Sequence, residues 1–245
     1  MVARKIANNI NVAIYKHIYK HSLPLPTQMK IFVHHYSKLT ARKQHIIQQF
    51  EKHGITDYEF IEKFDKDTIT YDECPEFSRD YITKRRTELS LHLKHIYLYR
   101  LIVKENYDEV IVFEDDVILS TGFIETLARY MTQIPKDYDM LFIGDGCNLH
   151  IPRSHQVPNQ YIYEKCLHET AWGGNGAAKC TDSYIISNQC AKKICDYVAG
   201  LTKKIDLPVD WWLNEVARDL RLKVYWAEPT IVTQGSQNGM FQRTI

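Results

Sequence analysis

Val110-Ile111-Val112-Phe113-Glu114-Asp115-Asp116-Val117 runs four apolar, β-favouring residues straight into three carboxylates, and apolar residues resume at once. A short continuous apolar run of this kind reads as a strand covered on both faces. In an open α/β sheet, ligands gather beyond the carboxyl ends of the strands. Carboxylates crowded at such an edge and partly desolvated are costly unless a cation neutralises them. Hard oxygen ligands suit Mg²⁺ or Mn²⁺, whose usual companion is a phosphate-bearing substrate. The competing reading is an acidic turn that points into water.

Outward from this segment the pattern alternates. Lys30–His35 reads as a first strand, followed by a helix over 40–53 that Gly54 stops. A strand is expected over 58–64, a polar loop over 65–82 and a long helix over 83–105. Beyond the acidic run come a helix near 122–133 and a strand at 140–143. A strand at 184–187 follows, then helices near 188–199 and 210–220, with strands near 223–227 and 230–233. Such alternation implies an α/β fold with a mostly parallel sheet and helices on both faces. Residues 1–28 read as an extension and 29–245 as one domain, while 144–180 shows little periodicity. In this arrangement His34-His35-Tyr36, Glu114-Asp115-Asp116 and Gly144-Asp145-Gly146 would converge at one sheet edge.

The formal net charge of +1 argues against a polyanion binder, so no nucleic-acid partner is expected. Charge is nonetheless uneven. No acidic residue precedes Glu51, whereas Arg4, Lys5, Lys16, Lys20, Lys30, Lys38, Arg42 and Lys43 all do. Cys74, Cys147, Cys166, Cys180, Cys190 and Cys195 form no CxxC pair and read as reduced, which favours the cytoplasm. Neither a signal peptide nor a membrane span is recognisable. Ile6, Ile10, Ile14 and Ile18 could at most make a weak peripheral membrane contact.

Several stretches, taken in order, resemble glycosyltransferase family 25, which includes lipopolysaccharide glycosyltransferases and collagen galactosyltransferases. They are Ile31-Phe32-Val33-His34-His35-Tyr36 with Arg42, Thr87–His95, Glu114–Val117, Thr181–Ser187 with Ala191-Lys192-Lys193, Pro208-Val209-Asp210, and Lys223–Tyr225 with Pro229–Val232. His35-Tyr36 stands where the family usually has Asn-Leu, and Lys94 where it usually has Ser. The ending Gln234–Gly239 looks most like versions from large eukaryotic DNA viruses. The resemblance implies a GT-A type fold and a transferase that uses a nucleotide sugar, normally metal-dependent and inverting. The expected donor is a uridine diphosphate sugar with Mn²⁺ or Mg²⁺, and the acceptor a glycan or protein hydroxyl.

In that setting Asp116 is the first choice for the metal, with Glu114 sharing it or touching ribose. Asp115 is a donor-site candidate, although alternate residues of an extended segment point to opposite sides. Gln234 stands where such enzymes often place a late metal or phosphate ligand. Arg42 could grip a diphosphate through its guanidinium, or simply be a solvated helix residue. Glu88, His92 and His95 share one helix face at i, i+4 and i+7; Glu88 and His95 are donor-site candidates, and core packing is the other reading. Inversion needs a general base opposite the leaving group. Asp210 is the candidate, against its simpler role as a helix N-cap, and a helix N-terminus would lower its basicity. Asp182 and Asp145 are held in reserve, Asp182 for a donor-sugar hydroxyl. Trp172, Trp211 and Trp212 could stack on sugar or belong to the core. The same carboxylates would also serve a metal-dependent phosphohydrolase or nucleotidyltransferase, or persist in a silent glycan-binding relative.

Overall fold

The apolar run becomes a central strand whose alternate side chains feed two separate cores. The chain, represented by a computed structural model, is described over residues 29–165 and 176–242; the basic extension, Cys166 and Trp172 lie outside the described residues. The strands are β1 (Lys30–His34), β2 (Tyr58–Ile61), β3 (Glu109–Glu114), β4 (Val117–Leu119), β5 (Met140–Phe142), β6 (Ile162–Glu164), β7 (Ser183–Ser187), β8 (Val224–Ala227) and β9 (Val232–Gln234). Among the described residues, seven of them form one sheet in the order β2-β1-β3-β7-β5-β8-β6. Pairs β1–β2, β1–β3 and β5–β8 are parallel, while β7 runs against both β3 and β5, and β6 against β8. The sheet is therefore mostly parallel, with β7 and β6 reversed.

The helices are α1 (Thr40–His53), α2 (Arg79–Lys84), α3 (Arg86–Glu105), α4 (Phe123–Met131), α5 (Asn188–Ala199) and α6 (Val209–Leu220). Val110 and Val112 pack with Leu89, Leu93, Ile194 and Trp212 from α3, α5 and α6. Ile111 and Phe113 face the other way, onto Ile46, Phe50, Phe123 and Leu127 of α1 and α4. Both faces are covered, as a near-continuous apolar strand requires. This parity fixes the site, because Glu114 continues the 110–112 series and points to the α3 and α6 side.

Three local expectations need correction. The long helix does not start at Thr83: a short α2, capped by Ser78 accepting from Tyr81 N, ends at Arg85, and α3 begins anew there. Arg85 leaves helical geometry at φ −129° and ψ 47°, which breaks the run. The strand expected to reach Phe64 stops at Ile61, and Phe64 adopts φ 65°. Finally, the 144–180 segment contains β6, an antiparallel edge strand of only three residues, too short for periodicity to reveal.

Candidate active site

At Glu114 the chain leaves the large sheet, turns over Asp115 and Asp116, and enters the β4–β9 ribbon, where Val117 faces Gln234. That pairing brings residues near the C-terminal end of the chain to the acidic turn. Gly235 N donates to Asp116 O at 2.7 Å, and Ser236 N to Asp116 Oδ2 at 3.2 Å. A Cβ on Gly235 would stand 2.7 Å from the Phe241 ring, so only glycine fits the approach. Because β7 is reversed, its beginning rather than its end lies here, which delivers Thr181 and Asp182 to the same edge. Glu114 N donates to Asp182 O at 2.9 Å.

A cavity of about 300 Å³ opens at this edge, lined by Arg42, Glu88, Glu114, Asp116, Asp210 and Gln234 among others. Six of the residues singled out from sequence thus share one space. Thr181 donates its hydroxyl to Glu114 Oε1 at 2.9 Å. Burial, then the charges of Asp116 and Asp182, hold the Glu114 carboxyl well above its usual range. Asp116 is 2% exposed, and its Oδ1 has no hydrogen-bond partner. Asp182 is equally enclosed; Ser183 donates to its Oδ2 at 2.8 Å, and burial pushes its pKa up to about 7. Its carboxylate fills the space left by the missing side chain of Gly144.

Asp210 sits in the first turn of α6, after Pro208 at the cap position, so it is not the N-cap. Trp211 N donates to its Oδ1 at 3.0 Å. Burial outweighs this and raises its pKa, opposite to the lowering expected from the helix end alone. Glu88 receives both of its oxygen contacts from Arg85 Nη1, each at 2.9 Å. Gln234 Oε1 accepts from the Gln237 amide at 2.7 Å.

Other candidates lie elsewhere. Asp115 turns away from the main cavity into a side pocket of about 80 Å³, where Arg42 Nη1 reaches its Oδ1 at 2.8 Å and His35 Nδ1 its Oδ2 at 2.8 Å. Arg42 is largely committed: its Nη2 donates to Gln242 O at 2.7 Å, and its Nη1 stands 3.8 Å from Asp116 Oδ2. His95 is fully buried; its Nδ1 is 2.6 Å from Tyr184 Oη and its ring packs on His34. His92 lies between Phe77 and Trp212. Burial depresses both histidines, His92 to about 3, so both are neutral core groups. Trp212 is core, whereas Trp211 is half exposed. Asp145 Oδ1 is buried without a partner.

Sequence reasoning did not single out Thr181, Ser236, Gln237 or the cavity-lining Cys147 and Cys180. Thr181 carried a signal, preceding Asp182 at a strand start; Ser236 and Gln237 become visible only through the β4–β9 pairing.

Among the described residues no three His, Cys, Asp or Glu side chains are grouped as a metal site. Glu114 and Asp116 nevertheless present hard oxygen donors, and the orphaned Asp116 Oδ1 is the kind of buried atom that a cation would satisfy. Among the described residues no helix is long and apolar enough to cross a membrane.

The model of glycosyltransferase family 25 (LPS biosynthesis protein) matches residues 28–213. "Putative glycosyltransferase R655" of Acanthamoeba polyphaga mimivirus is 27% identical over 124 residues, 49% of this chain and 38% of that protein. The match thus spans well under half the length of that relative. Two solved structures are similar at low identity: a glycosyltransferase involved in the glycosylation of the major capsid of PBCV-1 and A197 from STIV. The first has a TM-score of 0.47 at 8% identity, covering 84% of this chain and 91% of that one. The second has a TM-score of 0.39 at 9% identity, covering 81% and 80%.

Proposed function

The chain belongs to glycosyltransferase family 25, and from that premise we propose that it transfers a sugar from a nucleotide sugar, with a uridine diphosphate sugar as first choice, to a hydroxyl of a glycan or protein. The observation that carries the reading is the distribution of acids around one cavity. Glu114 and Asp116 stand on the sheet edge, Asp116 with an unsatisfied oxygen, while Asp210 lines the same cavity from α6.

In this reading the diphosphate lies against the Glu114–Asp116 turn, with Arg42 nearby. Mn²⁺ or Mg²⁺, held there by Asp116 and Glu114, would neutralise the charge that develops on the leaving nucleotide. Thr181 fixes the orientation of Glu114, and Asp182 is the candidate for a donor-sugar hydroxyl. Asp210 takes the proton from the acceptor hydroxyl as it attacks with inversion; its raised pKa suits a base better than an ordinary aspartate would. Gln234, held by Gln237, can approach the phosphates as a neutral ligand.

The test is a screen of nucleotide sugars with and without Mn²⁺, reading product mass. Movement of a hexose-sized mass, or release of the nucleoside diphosphate, supports the reading. Transfer of phosphate or nucleotide would instead identify a phosphohydrolase or nucleotidyltransferase. Ligand binding without turnover, unaffected by Asp116→Asn, would mean a silent glycan-binding relative.

A further inference from the structure

Cys147 and Cys180 face each other in the cavity wall with their sulfurs 3.0 Å apart. Strand pairing puts them there. Phe142 faces Tyr184 in the β5–β7 pair, and the two segments continue side by side beyond the sheet, Ile143 N reaching Ser183 O at 3.3 Å. Carried four residues past Phe142, that register sets Gly146 opposite Cys180 with Cys147 one residue further on, and the two sulfurs need close by only about 1 Å to reach the roughly 2.05 Å of a disulfide. Gly146 allows the closest approach: a Cβ there would stand 2.8 Å from Lys179 Cβ and 3.3 Å from Cys180 N. Gly146, Cys147 and Asn148 have φ of 45°, 59° and 64°, a run of left-handed residues that is costly for the last two. The turn thus holds Cys147 in an unfavourable conformation with its sulfur against that of Cys180.

A tetrahedral zinc ion with bonds of about 2.3 Å would hold two sulfurs about 3.8 Å apart. The observed spacing is shorter, and among the described residues no third ligand joins them. We propose that Cys147 and Cys180 form a reversible disulfide site in the cavity wall, closed by exchange with a low-molecular-weight disulfide. The proposal stands whether or not the transferase reading holds.

The exposed Cys147 is the entry thiol; Cys180 is less accessible, with a thiol that burial pushes up, and its sulfur 3.0 Å from Cys147 makes it the resolving group. The Cys147 thiolate attacks one sulfur of the small disulfide and expels a thiolate, leaving a mixed disulfide. The Cys180 thiolate then attacks the Cys147 sulfur and expels the second thiolate. Two protein thiols are oxidised to one bridge, the reagent is reduced to two thiols, and the two protons pass to the departing sulfurs. The bridge would close a span of 33 residues. It would also lie one residue from Gln234, because the Gln237 amide donates to Cys147 Sγ at 2.9 Å and to Gln234 Oε1.

The test equilibrates the full chain in oxidised and reduced glutathione, traps free thiols by alkylation and maps peptides by mass. The expected product is a Cys147–Cys180 linked pair, about 2 Da lighter than its two thiols and reopened by excess reduced glutathione. The thermal midpoint should rise by about 5–10 °C on oxidation, and Cys147→Ser and Cys180→Ser should lose both effects. The proposal is overturned if both thiols remain alkylatable in the oxidising buffer, if either bridges Cys166 or Cys195 instead, if Cys147 stops at a stable mixed disulfide, or if Cys147→Ser shows the same thermal rise.

Discussion

Asp182→Asn should make the protein more stable at alkaline pH while harming the reaction. In the folded chain this carboxyl keeps its proton up to about pH 7, against an ordinary value of 3.8. The unfolded chain loses it near 3.8, so between these values the folded state binds more protons. Stability therefore falls as pH rises through that interval, and the whole penalty is present above pH 7. At about 1.4 kcal/mol per pH unit, a rise from 3.8 to about 7 corresponds to about 4 kcal/mol. This is an upper bound, because Glu114, raised in the same direction, responds to the same charges. Asparagine removes the ionisation and keeps an oxygen for the Ser183 hydroxyl. Urea unfolding in EDTA is the assay. Wild type and variant should agree near pH 4, and near pH 8.5 the variant midpoint should lie about 1–2 M higher. Parallel midpoint–pH curves for the two proteins would refute the reasoning, since they would mean that Asp182 ionises in the fold as easily as in water.

Asp116→Asn should lower nucleotide-sugar turnover by about 10²–10³-fold while circular dichroism stays native, and should abolish any dependence of nucleotide binding on Mn²⁺. Asp210→Asn should cut kcat by about 10²–10⁴-fold with little change in donor affinity; wild-type activity should fall on the acid side as this base protonates, at a pH above that of an ordinary aspartate, and a flat acid limb in a pH–rate profile would count against it. Arg42→Ala should destabilise the fold by about 2–4 kcal/mol in urea unfolding, because it strips Asp115 of a buried partner and frees Gln242 O, and Arg42→Lys should not restore it. Gly144→Ala should unfold more easily and lose activity together, since the added methyl collides with the Asp182 carboxylate and Ser183 Oγ.

The fold was legible where physics is local. The helix at 40–53 follows its periodic apolar positions and stops at Gly54, which takes the left-handed conformation at φ 68°. β3 follows from its apolar run, and α5 from a start at Ser187, whose hydroxyl accepts from Cys190 N. What failed was long-range or short. The reversal of β7 depends on which neighbours it meets, and nothing within Tyr184-Ile185-Ile186 encodes direction. The ribbon β4–β9 joins residues more than a hundred positions apart through strands of three residues each, below the length at which alternation can be counted.

The site divides in the same way. That Asp115 would part company with Glu114 and Asp116 is a consequence of period-two geometry, and the structure turns it onto Arg42 and His35. The commitment of Arg42 could not be read, because its partners lie 73 and 200 residues away along the chain. Likewise Glu88, His92 and His95 do share a helix face, but sequence does not say how steeply that helix descends; Glu88 reaches the cavity while the histidines sink into the core. The element that survives every such correction is the cluster of Glu114, Asp116 and Asp182, whose charges raise Glu114 together with burial. A protein selected for stability alone would replace one of them with an amide, which keeps the hydrogen bonds and removes the charge. Glu114 and Asp116 line the cavity that Asp210 also lines, with Asp182 buried beside Glu114, so each acid costs the fold stability that a cation at the unpartnered Asp116 Oδ1 would return.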